Sequence, residues 1–188
     1  GAIGKDASAT GGSASAVASA SVTHTSSGSN RMGICHTTAG DDRVTTVTWA
    51  GVGMTQVQKV KAGNYGNFSY IYMKFAPTSG AQTVTVNVSP DGGIGIITET
   101  YTGVRQTDTA DASITKSQTT GTSIGESVTT VADNCWLVSC LWTLGATETA
   151  GTNTTLRSEE TALDQIVSGD SDAAMTPAGS YAQNYSWT

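Results

Sequence analysis

Apolar and polar positions alternate along this chain in short runs, broken at brief intervals by glycine, proline and Ser/Asn/Asp clusters. Thr83 to Val88 shows the pattern most cleanly: Val84, Val86 and Val88 share one parity and therefore one face of a strand. Val44 to Trp49 forms a second run, and Met54 to Lys61 resumes after the Ala50-Gly51-Val52-Gly53 interruption. Phe68 to Phe75 is apolar on both parities, as expected of a central strand or one covered on two faces. Pro77-Thr78-Ser79-Gly80 is a turn. Pro90-Asp91-Gly92-Gly93 predicts a hairpin that pairs Thr83–Val88 with Ile94–Tyr101. Cys135 to Leu144 predicts a buried central strand, with Trp136, Val138, Cys140, Trp142 and Leu144 on one face and Leu137 and Leu141 on the other. Shorter strands are expected over Ser21–Thr25, Met32–His36 and Val128–Val131, around Ile114, and from Tyr181 onward.

Three stretches fit this rhythm less well. Residues 1–20 are small and polar, with Ile3 and Val17 as their only large apolar side chains, and read as an N-terminal arm or an edge strand. Thr147 to Thr155 reads as loop. Leu156 to Val167 carries Glu159, Glu160, Leu163, Ile166 and Val167 at a spacing that also suits a short helix. Strands recurring every eight to twelve residues or so, with Gly/Pro turns between them, indicate a sandwich or barrel. The expected fold is therefore all-β, an antiparallel β-sandwich, with residues 21–188 forming one domain behind the arm.

Composition narrows the function classes. The chain has 188 residues, of which 37% are hydrophobic and 13% charged, against a typical charged share of about 25%. Thr, Ser, Gly and Ala fill the gap, which suits half-wet strands and turns better than helices. A net charge of -6 and a pI near 4.6 oppose binding to a phosphate backbone. Lys59, Lys61 and Lys74 are too few and scattered to reverse that field. No stretch approaches the roughly 20 apolar residues of a membrane helix, and the first 21 residues lack the apolar core of a secretory signal. Neither nucleic acid nor membrane is expected as a partner.

Candidate chemistry is sparse. His24 and His36 lie in no metal or triad motif and read as surface or satisfied core histidines. Ser113-Ile114-Thr115-Lys116 matches the S-x-x-K pattern of serine β-lactamases without the partner motifs. Asp170-Ser171-Asp172 and Gly40-Asp41-Asp42 could hold a hard cation but lack the rest of a calcium loop. Gly51-Val52-Gly53 and Gly92-Gly93 have no strand–loop–helix setting for a phosphate. Cys35, Cys135 and Cys140 form no zinc spacing. On one strand Cys135 and Cys140 would face opposite ways, leaving three free thiols or a bridge from Cys35 to one of them. Sequons begin at Asn67, Asn87, Asn153 and Asn184 and matter only on a secretory route. Tyr65, Tyr70, Tyr72, Trp49 and Trp187 form a candidate sugar-stacking face, set against the ordinary reading as core. No catalytic, cofactor-binding or metal-binding residue is assigned, and the expectation is a non-enzymatic protein without cofactor.

The order of several runs resembles a known family. SVTHTSSGSNRM (Ser21–Met32), WAGVGMTQV (Trp49–Val57), the Pro77–Gly80 turn feeding TVTV and YTGVRQ (Tyr101–Gln106) together resemble jelly-roll domains of the lectin or laminin-G-like type. Such domains occur in bacteriophage virion surface proteins and in bacterial surface proteins, and the likeness extends from about Ser21 to Trp187. It implies a sandwich with no shared enzymatic residues. It also implies a further strand after Tyr185-Ser186-Trp187, so that ending at Thr188 would leave a sheet edge open to another chain. A neighbour's residues 1–20 are one expected donor. The leading expectation is a structural protein of the virion surface, a phage head decoration or fibre component. Its partners would be the capsid lattice, other virion proteins or copies of itself in a homo-oligomer. The alternatives are an extracellular filament subunit joined by strand donation and a module binding a surface glycan.

Overall fold

A computed structural model describes residues 1–107 and 109–188; Asp108, in the polar stretch after Gly103, lies outside the described residues. In chain order the strands are β1 (Gly4–Ser26), β2 (Met32–Gly40), β3 (Val44–Trp49), β4 (Val52–Gly53), β5 (Thr55–Lys61), β6 (Asn67–Phe75) and β7 (Gly80–Thr102). They are followed by β8 (Ser123–Thr129), β9 (Val138–Thr143), β10 (Glu148–Ala150), β11 (Thr155–Glu160), β12 (Gln165–Asp170) and β13 (Ser180–Trp187). All pairings are antiparallel, and no helix occurs among the described residues. The protein is an all-β antiparallel sandwich.

β7 is the spine. β1 runs along its whole length, from Gly4 opposite Thr102 to Ser26 opposite Gly80. The other flank is shared: β3 pairs with the first half (Val47↔Val86) and β2 with the second (Cys35↔Thr98). The two halves of β7 thus belong to facing walls of one nearly closed sheet, ordered β4-β3-β7-β2-β6-β5 with β1 beside β7. The predicted hairpin at Pro90–Gly93 does not form. Val84–Val88 and Ile94–Tyr101 each have neighbours on both sides and never pair with each other, so Pro90, Gly92 and Gly93 bend one strand around a corner. Neither glycine takes a positive φ. Gly93 is closely packed: a Cβ there would stand 2.7 Å from the tip of the Leu163 side chain and 3.3 Å from the Ser13 carbonyl oxygen, so a larger residue would displace Leu163.

Inside the bend lies the main core: Trp49, Val84, Val86, Ile94, Ile96 and Tyr70, all buried. Trp49 lies over Gly33 of β2, where a Cβ would come within 2.9 Å of its ring. On the outer face of β2 and β7 a second sheet, β11-β12-β9, covers Ile34, Glu99 and Tyr101. A third, β10-β13-β8, packs behind it. There the Tyr185 hydroxyl sits 2.6 Å from Ser139 Oγ, over Gly169.

Several expectations change. Residues 1–20 do not form a separate arm, because β1 crosses position 20 without a break and is an edge strand bound in cis. Leu156–Val167 is a strand–turn–strand, not a helix; backbone pairing with β9 and burial of Ile166 and Val167 outweigh the helical spacing. Cys135 falls outside β9, which is an edge strand of its sheet rather than a central one. Ile114 lies in no strand and is exposed. β13 is the middle of three strands, so the chain's last strand leaves no open edge.

Candidate functional site

Alternation along β7 aims Thr98 and Thr100 into the bend and Glu99 and Tyr101 out toward the second sheet. Opposite them, β12 presents Ser168 and Asp170, again two residues apart. A bulge between Leu156 and Ser158 makes Arg157 the extra residue of β11 and turns it onto Asp170. The result is a buried polar cluster between layers. Ser168 Oγ donates to Glu99 Oε1 at 2.7 Å. The Tyr101 hydroxyl lies 3.0 Å from Glu99 Oε2 and 2.9 Å from Asp170 Oδ2. Arg157 donates two hydrogen bonds of 2.7 Å to Asp170 and also reaches Asp172. Lys5 Nζ stands 4.0 Å from Glu99 and 5.3 Å from the centre of the Tyr101 ring.

His36 completes the cluster. It lies in the middle of β2 rather than at a strand end, because Thr37, Thr38 and Ala39 continue the ladder. Its Nε2 is 3.4 Å from Glu99 Oε2, and neither ring nitrogen makes an aligned hydrogen bond. Burial pulls the imidazole toward neutrality, but Cys140 and Glu99 outweigh it and raise its pKa to about 9. Burial likewise pushes Glu99 up, and His36, Lys5 and Ser168 outweigh that, holding it down at about 2. His36 and Glu99 are therefore an ion pair at neutral pH. His24 is the opposite case. It is buried against Trp49, its ring nitrogens lie 2.8 and 3.0 Å from Thr98 Oγ1 and Thr100 Oγ1, and burial lowers it to about 4. It is a satisfied, neutral core histidine.

Beside the cluster the layers part into a cleft of about 540 Å³. Ile34, Met73, Trp136, Val138, Cys140 and Trp142 line its apolar part. Tyr65, Tyr70 and Trp187 also border it, Tyr70 while almost wholly buried, whereas Trp49 and Tyr72 lie in the main core, so the five aromatics share no exposed face.

The remaining motifs resolve into ordinary structure. Asp41 pairs with Arg43, and Asp42 pairs with Lys59 while accepting from Tyr70. Asp170 and Asp172 clamp Arg157. Each candidate cation site thus holds a side-chain cation. Ser113 Oγ accepts from Gln58, and Lys116 donates to the Gly125 carbonyl, so the S-x-x-K residues serve separate contacts. The amide nitrogens of Asn67, Asn87 and Asn153 are already donating within the protein. All three cysteines are free. Cys35 faces the main core and Cys140 the second layer, on opposite sides of β2.

The second site-like feature is the outer edge of β1. No residue from Ala7 to Asn30 carries a formal charge. Beyond the β7 ladder, no backbone group of β1 has a backbone partner among the described residues. Its exposed positions are Ser, Thr, Ala and Gly throughout.

Sequence reasoning missed the ionic cluster, although one signal was present. Glu99 sits inside Ile94–Tyr101, an otherwise apolar and β-branched run, where an acid is out of place unless partnered. Comparison of the chain with protein-family models, with curated proteins and with solved structures finds no match.

Proposed function

We propose that this domain is a non-enzymatic structural component that works by docking and self-assembly. Its proposed setting is the one implied by the jelly-roll resemblance: the virion surface, as a phage head-decoration or fibre component. The observation that carries this reading is the edge of β1. Long edge strands are normally blunted by charge, proline or cover, because unpaired N–H and C=O groups template another chain. From Ala7 onward the edge is long, free of formal charge and lined by side chains small enough for close approach. Strand donation by residues 1–20 is less favoured, since β1 already pairs in cis and would have to be stripped from β7.

Sedimentation velocity and negative-stain microscopy over a concentration series test the proposal. The expected result is a discrete oligomer or ordered array that a lysine pair on β1, Thr10→Lys with Thr23→Lys, abolishes. A strictly monomeric wild-type chain, or assembly unaffected by the lysines, would overturn it.

A further inference from the structure

The cleft between the layers is long, and one end of it differs from the rest. Alternation along β6 turns Ser69, Ile71, Met73 and Phe75 toward it, away from Tyr70 and Tyr72. Opposite that row stand Trp142 and Val138 of β9, and Trp136 just before it. The two rows run in opposite senses. Trp142 meets Tyr65, just ahead of β6, at 5.3 Å between ring centres. Trp136 meets Tyr101, which pairs with Met32, and Met32 pairs in turn with Phe75. From Ser69 to Phe75 the slot spans about 20 Å at the rise of an extended strand. Its volume of about 540 Å³ is that of a small-molecule site.

Most of the slot is apolar; the exception is the end at Ser69 and Trp142. Ser69 is only 8% exposed, and its hydroxyl has no hydrogen-bond partner among the described residues. The indole nitrogen of Trp142 is buried and likewise without a partner. Buried polar groups are costly to leave unmatched, and two at one end of a single cleft mark where a ligand oxygen would sit. Charge narrows the choice. Among the described lining residues, Lys59 pairs with Asp42, Arg105 with Asp111 and Lys116 with Glu126. Lys61 lies across from Phe68, which packs on the main core, and so turns away from the cleft. No uncommitted cation is left among them, and an ionised head group would enter uncompensated.

We propose that the cleft binds an uncharged, unbranched long-chain lipid of the fatty-alcohol class, its chain along the slot between β6 and β9. A hydroxyl suits both polar groups: it accepts from the Trp142 indole, which can only donate, and donates to Ser69 Oγ. The rows Ile71–Phe75 and Trp136–Val138 take the chain. No residue of β1 lines the cleft, so lipid binding and assembly through that edge can each fail without the other.

The test titrates the full chain with decanol, hexanol and decanoate at neutral pH, by calorimetry and by the indole region of proton–nitrogen NMR spectra. Decanol should bind about 100-fold tighter than hexanol, from the extra buried methylenes. It should bind about tenfold tighter than decanoate, whose charge finds no partner. The indole cross-peak that Trp142→Phe removes should move downfield on binding. That of Trp49, also buried and unpartnered but outside the cleft, should stay in place. Trp142→Phe and Ser69→Ala should each weaken decanol about fivefold, the scale of one hydrogen bond. Should the variants fail to fold, the ranking of the three ligands on the wild-type chain decides. No binding of decanol, decanoate bound as tightly as decanol, no preference for the longer chain, or a Trp142 indole unmoved at saturation would each overturn the proposal.

Discussion

The two faces of β7 close two interiors by opposite means. Inside the bend, Trp49, Val84, Val86, Ile94 and Ile96 interdigitate, and the only buried imidazole there, His24, is neutral and hydrogen-bonded. On the outer face the second sheet is held by charge: Glu99, Asp170 and His36 are all fully buried, with Arg157 and Lys5 reaching in. The main core is continuous, whereas the outer interior opens into a cleft. Apolar packing is non-directional and tolerates small displacements. Hydrogen-bonded ion pairs gain little net stability, since desolvation consumes most of their attraction, yet they are satisfied in one geometry only. The comparison teaches a division of labour. The first interior supplies stability, and the second sets how β11-β12-β9 sits on β2 and β7.

The largest effect should come from breaking the apolar side. Trp49→Ala removes the ring that spans from β3 to Gly33 and should cost about 3–5 kcal/mol, read as a lower midpoint in urea denaturation. Next comes the ionic side. Glu99→Gln leaves His36 and Lys5 without their buried counter-charge and should cost about 3 kcal/mol. Adding His36→Gln should recover part of that loss, because the orphaned cation is removed as well. If the double variant is as unstable as the two single losses summed, the pair is not coupled and the division of labour fails.

How far the sequence showed this contrast follows from how each side is built. Alternation reports which positions face inward, so Val84, Val86, Val88 and the strand Val44–Trp49 were legible. It does not report what an inward position meets. Apart from Tyr101 on its own strand, Glu99 finds its partners on β1, β2 and β12, from 63 to 94 residues away in the chain, and no local pattern encodes that. The corner at Pro90–Gly93 was misread because a hairpin and a bend in one strand use the same residues; the choice is made by β1, which runs past both halves. β1 itself was underestimated because Ser, Ala and Gly carry little strand preference of their own. Its length comes from pairing along β7.

The pH dependence offers a finer test, since the two histidines are shifted in opposite directions. His36 is raised to about 9, so its contribution is complete below about pH 6.5 and is lost as pH rises toward 9. His24 is lowered to about 4: below about 6.5 the unfolded chain takes up a proton that the folded one refuses, so stability falls as pH drops toward 4. Glu99, held at about 2, adds a further loss as pH falls from about 4.5 toward 2. Stability should therefore peak near pH 6.5 and fall by roughly 1–3 kcal/mol on either side, as measured by urea denaturation at fixed ionic strength. His24→Gln should flatten the acid limb and leave the alkaline limb intact. A profile in which it flattens both would mean that the two interiors are not electrically separate.

The smallest effect on folding should fall where the effect on assembly is greatest. Thr10 and Thr23 are exposed and lie opposite Ile97 and Thr83 in the ladder between β1 and β7. Lysines at both positions keep that ladder and bury nothing new, so monomer stability should stay within about 0.5 kcal/mol of wild type. Their charge stands beside the unpaired backbone edge of β1, and it repels a second β1 carrying the same pair. Loss of the oligomer at unchanged unfolding midpoint would place the assembly surface on β1, apart from both interiors. Loss of both together would mean that β1 belongs to the main core energetically and is no free edge.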